Sequence, residues 1–258
     1  GNSVMNALLA KRAMLNLAGL DAPYIEHAED EDLIDGGTMH AGRVSLTLGL
    51  AGRSALAEDV IVGRDILLAD ATGAHLHIAH LSSAHSAAMI REAKRRGSRV
   101  TCEVTPHHLA LTDEAVGQFD TAVKVNPPVR DEANRKALLA AVQDGSIDAI
   151  ATDHAPHGPL DKDVEFAQAA SGMIGLETLL PVCLEALVRT GAIGLPRLVA
   201  LLSTAPARLL RVGGGSLAVG APADVTVFDE AAEWVVDGRT LGSKSRNTPW
   251  LGRTMRGR

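Results

Sequence analysis

A parallel α/β architecture is what this sequence predicts, and three features carry the prediction. Short apolar runs alternate with segments of helical periodicity along most of the chain. No glycine-rich phosphate loop follows any of the runs, which disfavours a dinucleotide-binding sheet. The texture changes near residue 210, where Gly213-Gly214-Gly215 opens a stretch without helical period. An open doubly wound sheet and part of a (β/α)8 barrel both fit this alternation.

Residues 2–18 place Val4, Leu8, Leu9, Ala13, Met14 and Leu17 at helical spacing. An extended run follows over 23–27. A second helical stretch covers 54–71, with Val60, Ile61, Ile66, Leu67 and Leu68. Residues 75–80 alternate His-Leu-His-Ile-Ala-His, a strand pattern. The helix over 84–95 closes on Lys94-Arg95-Arg96 and Gly97, since cations and glycine suit a helix C-terminus. A strand covers 99–104. The helix over 131–143 sets Leu138, Leu139 and Val142 on one face and stops near Gly145. A strand at 147–152 leads into a long loop, then helices near 175–190 and 195–203. Beyond residue 210, 223–229 and 233–236 read as strands. The predicted division is 1–209 for the α/β part and 210–258 for part of a small β appendage.

The chain has 258 residues, 46% hydrophobic and 22% charged, which is ordinary globular composition and excludes disordered and collagen-like classes. Aromatics are only 2%, so the core is aliphatic. Its 25 basic and 31 acidic side chains leave a net charge of -6, which points to neither nucleic acid nor a membrane surface. No apolar run approaches transmembrane length, and no secretory signal is visible at the start. Cys102 and Cys183 lie far apart in apolar stretches, the pattern of two buried thiols in a reducing cytoplasm.

The informative polar residues sit at strand ends. The first run ends on Glu26-His27, the second on Ala79-His80, and the fourth runs through Ala151-Thr152 to Asp153. In a barrel, catalytic groups project from the C-terminal ends of strands. Imidazole and carboxylate are the usual zinc ligands, and separate strands can aim them at one point. Each residue also has a structural reading: a single strand-end His is commonly just hydrogen-bonded, and Asp153 could cap the next helix. His40 and His85 read as surface or helix-start residues. His107 and His108 follow the third strand and lean toward a structural role. His157, in the loop beyond Asp153, could reach a substrate. Asn126 precedes Pro127-Pro128, a rigid turn able to hold an amide in one place; an Asx-type turn is its structural alternative.

Six segments together resemble the dihydroorotases, cyclic-amide hydrolases of the amidohydrolase superfamily. They are Glu26-His27-Ala28-Glu29-Asp30, His77-Ile78-Ala79-His80-Leu81-Ser82, Glu103-Val104-Thr105-Pro106-His107-His108-Leu109, Asn126-Pro127-Pro128-Val129-Arg130, Thr152-Asp153-His154-Ala155-Pro156-His157 and Gly172-Met173-Ile174-Gly175-Leu176-Glu177. The tail over 220–229 resembles the β-sandwich segment shared by many amidohydrolases. The Asp153 and Asn126 blocks point to the bacterial single-function type.

That resemblance implies the second half of a TIM-like barrel, strands 5 to 8, over 1–209. It implies two zinc ions per complete site, with His27 and His80 on one zinc. Asp153 would touch the other and shuttle a proton. Asn126 and His157 would hold the pyrimidine ring and its carboxylate, with backbone groups near Ser171 and Gly172 on the ring amides. The reaction implied interconverts N-carbamoyl-L-aspartate and L-dihydroorotate in pyrimidine biosynthesis. The family's His-x-His pair and nearby Arg from strand 1, and the ligand from strand 4, have no counterpart in this chain. Residues 1–4 resemble the stretch just after that strand-4 ligand. The chain therefore reads as the C-terminal part of a longer enzyme, inactive alone, whose partners are the N-terminal half of the barrel, a small-molecule substrate and either further copies of itself or aspartate transcarbamoylase. The competing expectations are a hydantoinase or allantoinase, and a non-catalytic dihydroorotase-like subunit of the transcarbamoylase.

Overall fold

The strand–helix alternation is present in a computed structural model, which describes residues 3–258. The resemblance noted at Gly1-Asn2 lies outside the described residues. Helix α1 (Ala7–Leu20) starts later than its periodicity suggests, because Asn6 caps it by accepting the Leu9 N–H at 3.0 Å. It leads into β1 (Pro23–Glu26). A short excursion follows: α2 (Glu31–Ile34), β2 (Met39–His40), α3 (Arg43–Leu48) and β3 (Gly52–Arg53). Then come α4 (Leu56–Thr72), β4 (His75–Ile78), α5 (Ala84–Arg95), β5 (Val100–Val104) and α6 (Pro106–Ala110). Two 3-10 turns precede α7 (Glu132–Gln143) and β6 (Ala149–Ile150). The long loop beyond holds one short helix, α8 (Pro159–Lys162). Helix α9 (Leu179–Cys183) continues as a π turn to Val188. Helix α10 (Leu195–Val199), a second π turn and α11 (Ala205–Leu210) form one helical run, longer than its apolar spacing suggests.

Strands β1, β4, β5 and β6 form one sheet in that order, every pair parallel. Parallel neighbours joined through helices are the repeating unit of a (β/α) barrel. The register aligns Tyr24, Leu76 and Val100 across three strands, and likewise Glu26, Ile78 and Cys102. These residues point at the helices. Leu76, Ile78, Cys102 and Val104 are fully buried there, against Ile61, Val62, Ile90 and Leu138 from α4, α5 and α7. Burying a side chain of that size contributes about 1.5–3 kcal/mol. The odd-numbered residues of β4 and β5 face the other way and are polar. Thr101 Oγ1 lies 2.8 Å from both His75 Nε2 and His77 Nδ1, and His77 Nε2 lies 3.2 Å from Glu103. An inward row of this kind fits a barrel lumen, which side chains fill in layers.

Strands β7 (Glu233–Val235) and β8 (Thr254–Arg256) pair antiparallel. The strand expected over 223–229 is absent: Val225 and Val227 are 60% and 89% exposed, and among the described residues no strand lies beside them to take up their backbone groups. His40 also departs from expectation. It is buried rather than superficial, because β2 pairs with β3 and draws it in. His85 is the exposed helix-start residue expected, in the first turn of α5.

Both cysteines are free and buried. Burial pushes each thiol up to about 12. The native protein should therefore resist iodoacetamide at pH 8 and take up two labels only on unfolding, as read by intact mass. Rapid labelling of the folded protein would contradict the packing around Cys102. Among the described residues, no helix is long and apolar enough to cross a membrane.

Candidate active site

Adjacent strands bring the first two candidates together. His27 follows β1 and His80 follows β4, and these strands are hydrogen-bonded neighbours. His27 Nδ1 lies 2.8 Å from His80 Nε2, with the rings edge to face. His80 has a φ of 34° and Asp153 a φ of 48°, left-handed values that are uncommon outside glycine. Strain of this kind gathers at functional positions. Burial, together with the nearby His27, lowers His80 to about 3, so its imidazole is neutral at neutral pH.

Asp153 follows β6, separated from β4 by β5. Its side chain makes no hydrogen bond with another described residue, and burial raises its carboxyl above the ordinary value. Among the described residues, no three His, Cys, Asp or Glu side chains converge closely enough to hold an ion. The donor chemistry still fits part of a metal site. Two imidazole nitrogens lie 2.8 Å apart at adjacent strand ends, one ring held neutral, and neutral imidazole is a donor that zinc takes.

Asn126 stands beside the histidine pair. Its Nδ2 donates to Glu29 Oε2 at 2.8 Å and lies 3.3 Å from His27 Nε2, while its Oδ1 accepts from Arg53 Nη1. Glu29 Oε2 is 3.4 Å from His27 Nε2, and Glu29 Oε1 takes an Arg53 N–H at 2.9 Å. Burial opposes charge on Glu29, but hydrogen bonds from His27 and Asn126 and the Arg53 charge outweigh it and hold the carboxyl down at about 2. The Pro-Pro turn is anchored by His108, whose Nε2 donates to the Pro127 carbonyl at 3.1 Å. His108 thus has the structural role its position suggested. His107 is equally buried, and its Nε2 has no partner among the described residues.

His157, Ser171 and Gly172 form a second group. His157 Nε2 donates to the Ser171 carbonyl at 2.9 Å. The Gly172 N–H bonds to Lys124 O at 2.8 Å, and its carbonyl accepts from Asn247. Gly172 has a φ of 137°, and a Cβ there would lie 2.5 Å from Ala155 Cβ, so only glycine fits. The wall is held from behind by Lys162, whose ammonium donates to Thr121 O, Lys124 O and Ala170 O. Sequence reasoning gave no role to Arg53, Asn247 or Lys162. Glu29 stood inside a quoted segment, two residues from His27, and that closeness was the available signal.

Comparison with known proteins follows the same lines. A family model described as dihydro-orotase-like matches residues 1–86. A dihydroorotase of Anaeromyxobacter dehalogenans is 52% identical over the whole of this chain, and one from a Geobacter species is 50% identical. Over its whole length the chain is similar to dihydroorotases. It spans about 60% of the length of these curated relatives. Among solved structures, an L-hydantoinase (dihydropyrimidinase) from Arthrobacter aurescens matches 98% of this chain and 58% of its own, at 27% identity and a TM-score of 0.88. A dihydropyrimidinase from Brevibacillus agri matches 96% of this chain and 56% of its own, at 25% identity and a TM-score of 0.83. The chain thus has the fold of the second half of a barrel of this kind, in keeping with its strand order.

Proposed function

We propose that this chain is part of a zinc-dependent dihydroorotase, which interconverts N-carbamoyl-L-aspartate and L-dihydroorotate in cytoplasmic pyrimidine biosynthesis. The observation that carries the reading is the facing pair His27 and His80, 2.8 Å apart at neighbouring strand ends, in a chain about half identical to dihydroorotases throughout. In this reading His27 and His80 hold one zinc and Asp153 reaches a second. The other ligands come from protein outside this chain. When bound, zinc supplies Lewis-acid polarisation of the carbonyl and activation of water.

The chain's own residues do the rest. In ring closure the carbamoyl nitrogen forms a C–N bond with the side-chain carboxyl carbon, and that carbon loses an oxygen as water. Asp153 takes the proton from nitrogen and delivers it to the departing oxygen, and one more proton comes from solvent. Hydrolysis runs the same transfers backward. The burial that raises Asp153 suits a group that both accepts and returns a proton. Asn126 and His157 hold the ring and its carboxylate. The wall at Ser171 and Gly172 faces the ring amides and excludes water.

The full-length protein loaded with zinc should hydrolyse dihydroorotate in preference to hydantoin and allantoin, followed by loss of ultraviolet absorbance. The 258-residue chain alone should show little or no turnover. Turnover of hydantoin or allantoin without dihydroorotate would transfer the assignment to the hydantoinase-type enzymes that the solved neighbours represent. A full-length protein with no metal and no turnover would favour a scaffold for aspartate transcarbamoylase. Strand-end histidines kept facing each other speak against that, since a scaffold has no use for them.

A further inference from the structure

Glu29 touches both His27 and Asn126, Arg53 joins Glu29 to Asn126, and neither has a role in the reaction above. Glu29 is buried, with a side chain 7% exposed, and Arg53 is 14% exposed. Arg53 ends the short strand β3, and all three nitrogens of its guanidinium donate. Nε and Nη2 donate to Gly37 O at 3.1 and 3.0 Å, and Nη1 donates to both Glu29 and Asn126. A Cβ on Gly37 would lie 2.6 Å from the Arg53 backbone, so glycine there is what lets the two segments close up.

We infer that Glu29 and Arg53 are positioning residues that together set the tautomer of His27 and the amide orientation of Asn126. The inference rests on the zinc-dependent reading above. His27 has two ring nitrogens, and its Nδ1 faces His80. Its Nε2 faces Glu29 Oε2 at 3.4 Å, a carboxylate that can only accept, and Asn126 Nδ2 at 3.3 Å, whose hydrogen goes to that same carboxylate oxygen at 2.8 Å. The proton therefore stays on Nε2, which leaves the Nδ1 lone pair directed at the point where His80 also aims. Metal-binding histidines are commonly fixed in this way by a carboxylate on their other nitrogen. Asn126 is fixed by the same pair. Arg53 can only donate, so it selects Oδ1, and Glu29 can only accept, so it selects Nδ2. The free hydrogen of Asn126 is consequently an N–H. That second N–H is what Asn126 can offer a substrate oxygen, while Oδ1 keeps one lone pair beside its contact with Arg53.

Two variants of the full-length protein separate the two effects. Glu29→Gln nearly keeps the shape but can turn an NH2 toward His27. It should lower zinc affinity roughly 10- to 100-fold in chelator competition. In the metal-free protein, the ¹⁵N shifts of His27 should change from one tautomer to a mixture. Arg53→Met frees the amide of Asn126, and should raise the KM for dihydroorotate by about tenfold or more with a smaller change in kcat. Should Glu29→Gln not fold, Glu29→Asp, which withdraws the carboxylate by one methylene, gives the same two readouts. Zinc affinity within twofold of the parent with an unchanged His27 tautomer overturns the inference, as does an unchanged KM in Arg53→Met. The zinc and tautomer readouts need no substrate. A parent protein that binds zinc but ignores dihydroorotate would thus sink the functional reading and leave the tautomer result to decide the inference.

Discussion

Asp153→Asn in the zinc-loaded, full-length protein should lower the turnover of dihydroorotate by about 10²- to 10⁴-fold, with a much smaller change in KM. The carboxamide keeps the shape of the side chain but cannot take a proton from nitrogen. No other described side chain hydrogen-bonds to the Asp153 carboxyl, so no neighbour stands in place to carry out the transfer. Stopped-flow or steady-state assays in both directions are the check. Proton transfer by one group in both directions predicts equal loss in ring closure and ring opening. A loss confined to KM, or a variant with near-parental kcat, would remove Asp153 from the chemistry and leave it a binding residue.

Glu58→Leu is expected to be the most costly single change to stability, at about 3–5 kcal/mol in a urea melt. Glu58 and Arg130 are both 3% exposed, with N···O at 3.9 Å. Glu58 also accepts the backbone N–H of Ser82 and Ser83, and Arg130 Nε donates to Ser82 Oγ at 3.0 Å. Leucine would leave a buried guanidinium without its counter-charge and two N–H groups without acceptors. Adding Arg130→Met should restore part of the loss, because the stranded charge is then gone. If the two changes instead simply add, Glu58 and Arg130 are not coupled. The site depends on this pair because it links α4, the segment just after His80 and the turn just after Asn126.

Much of this could be read along the chain. The apolar periods located α4, α5 and α7 within a few residues, and the alternation over 75–80 located β4 and the inward face that carries His75 and His77. The segments around His27, His80 and Asn126 were singled out before any geometry, and folding brought those three residues together. Arg53 escaped notice because an arginine in a glycine-flanked loop carries no periodic or motif signal. The β2–β3 pairing that places it is two residues long and joins positions 13 apart, too short to leave a pattern. His40 was misplaced for the same reason. The run over 223–229 failed in the opposite direction: its alternation is real, but a strand also needs a neighbour to take up its N–H and C=O groups.

Local physics accounts for the first kind of result. Side-chain period, caps and strand-end position depend on residues close in the chain, so the sequence alone was enough to predict a parallel α/β fold with acid–base residues gathered at one end. Orientation is different. Which nitrogen of His27 bears the proton, which way the Asn126 amide points, and whether Asp153 stands beside the histidine pair or across β5 from it all depend on partners dozens of residues away. Hydrogen bonds and desolvation act at ångström range, so these questions had no answer until the fold had set Glu29, Arg53 and Asn126 side by side.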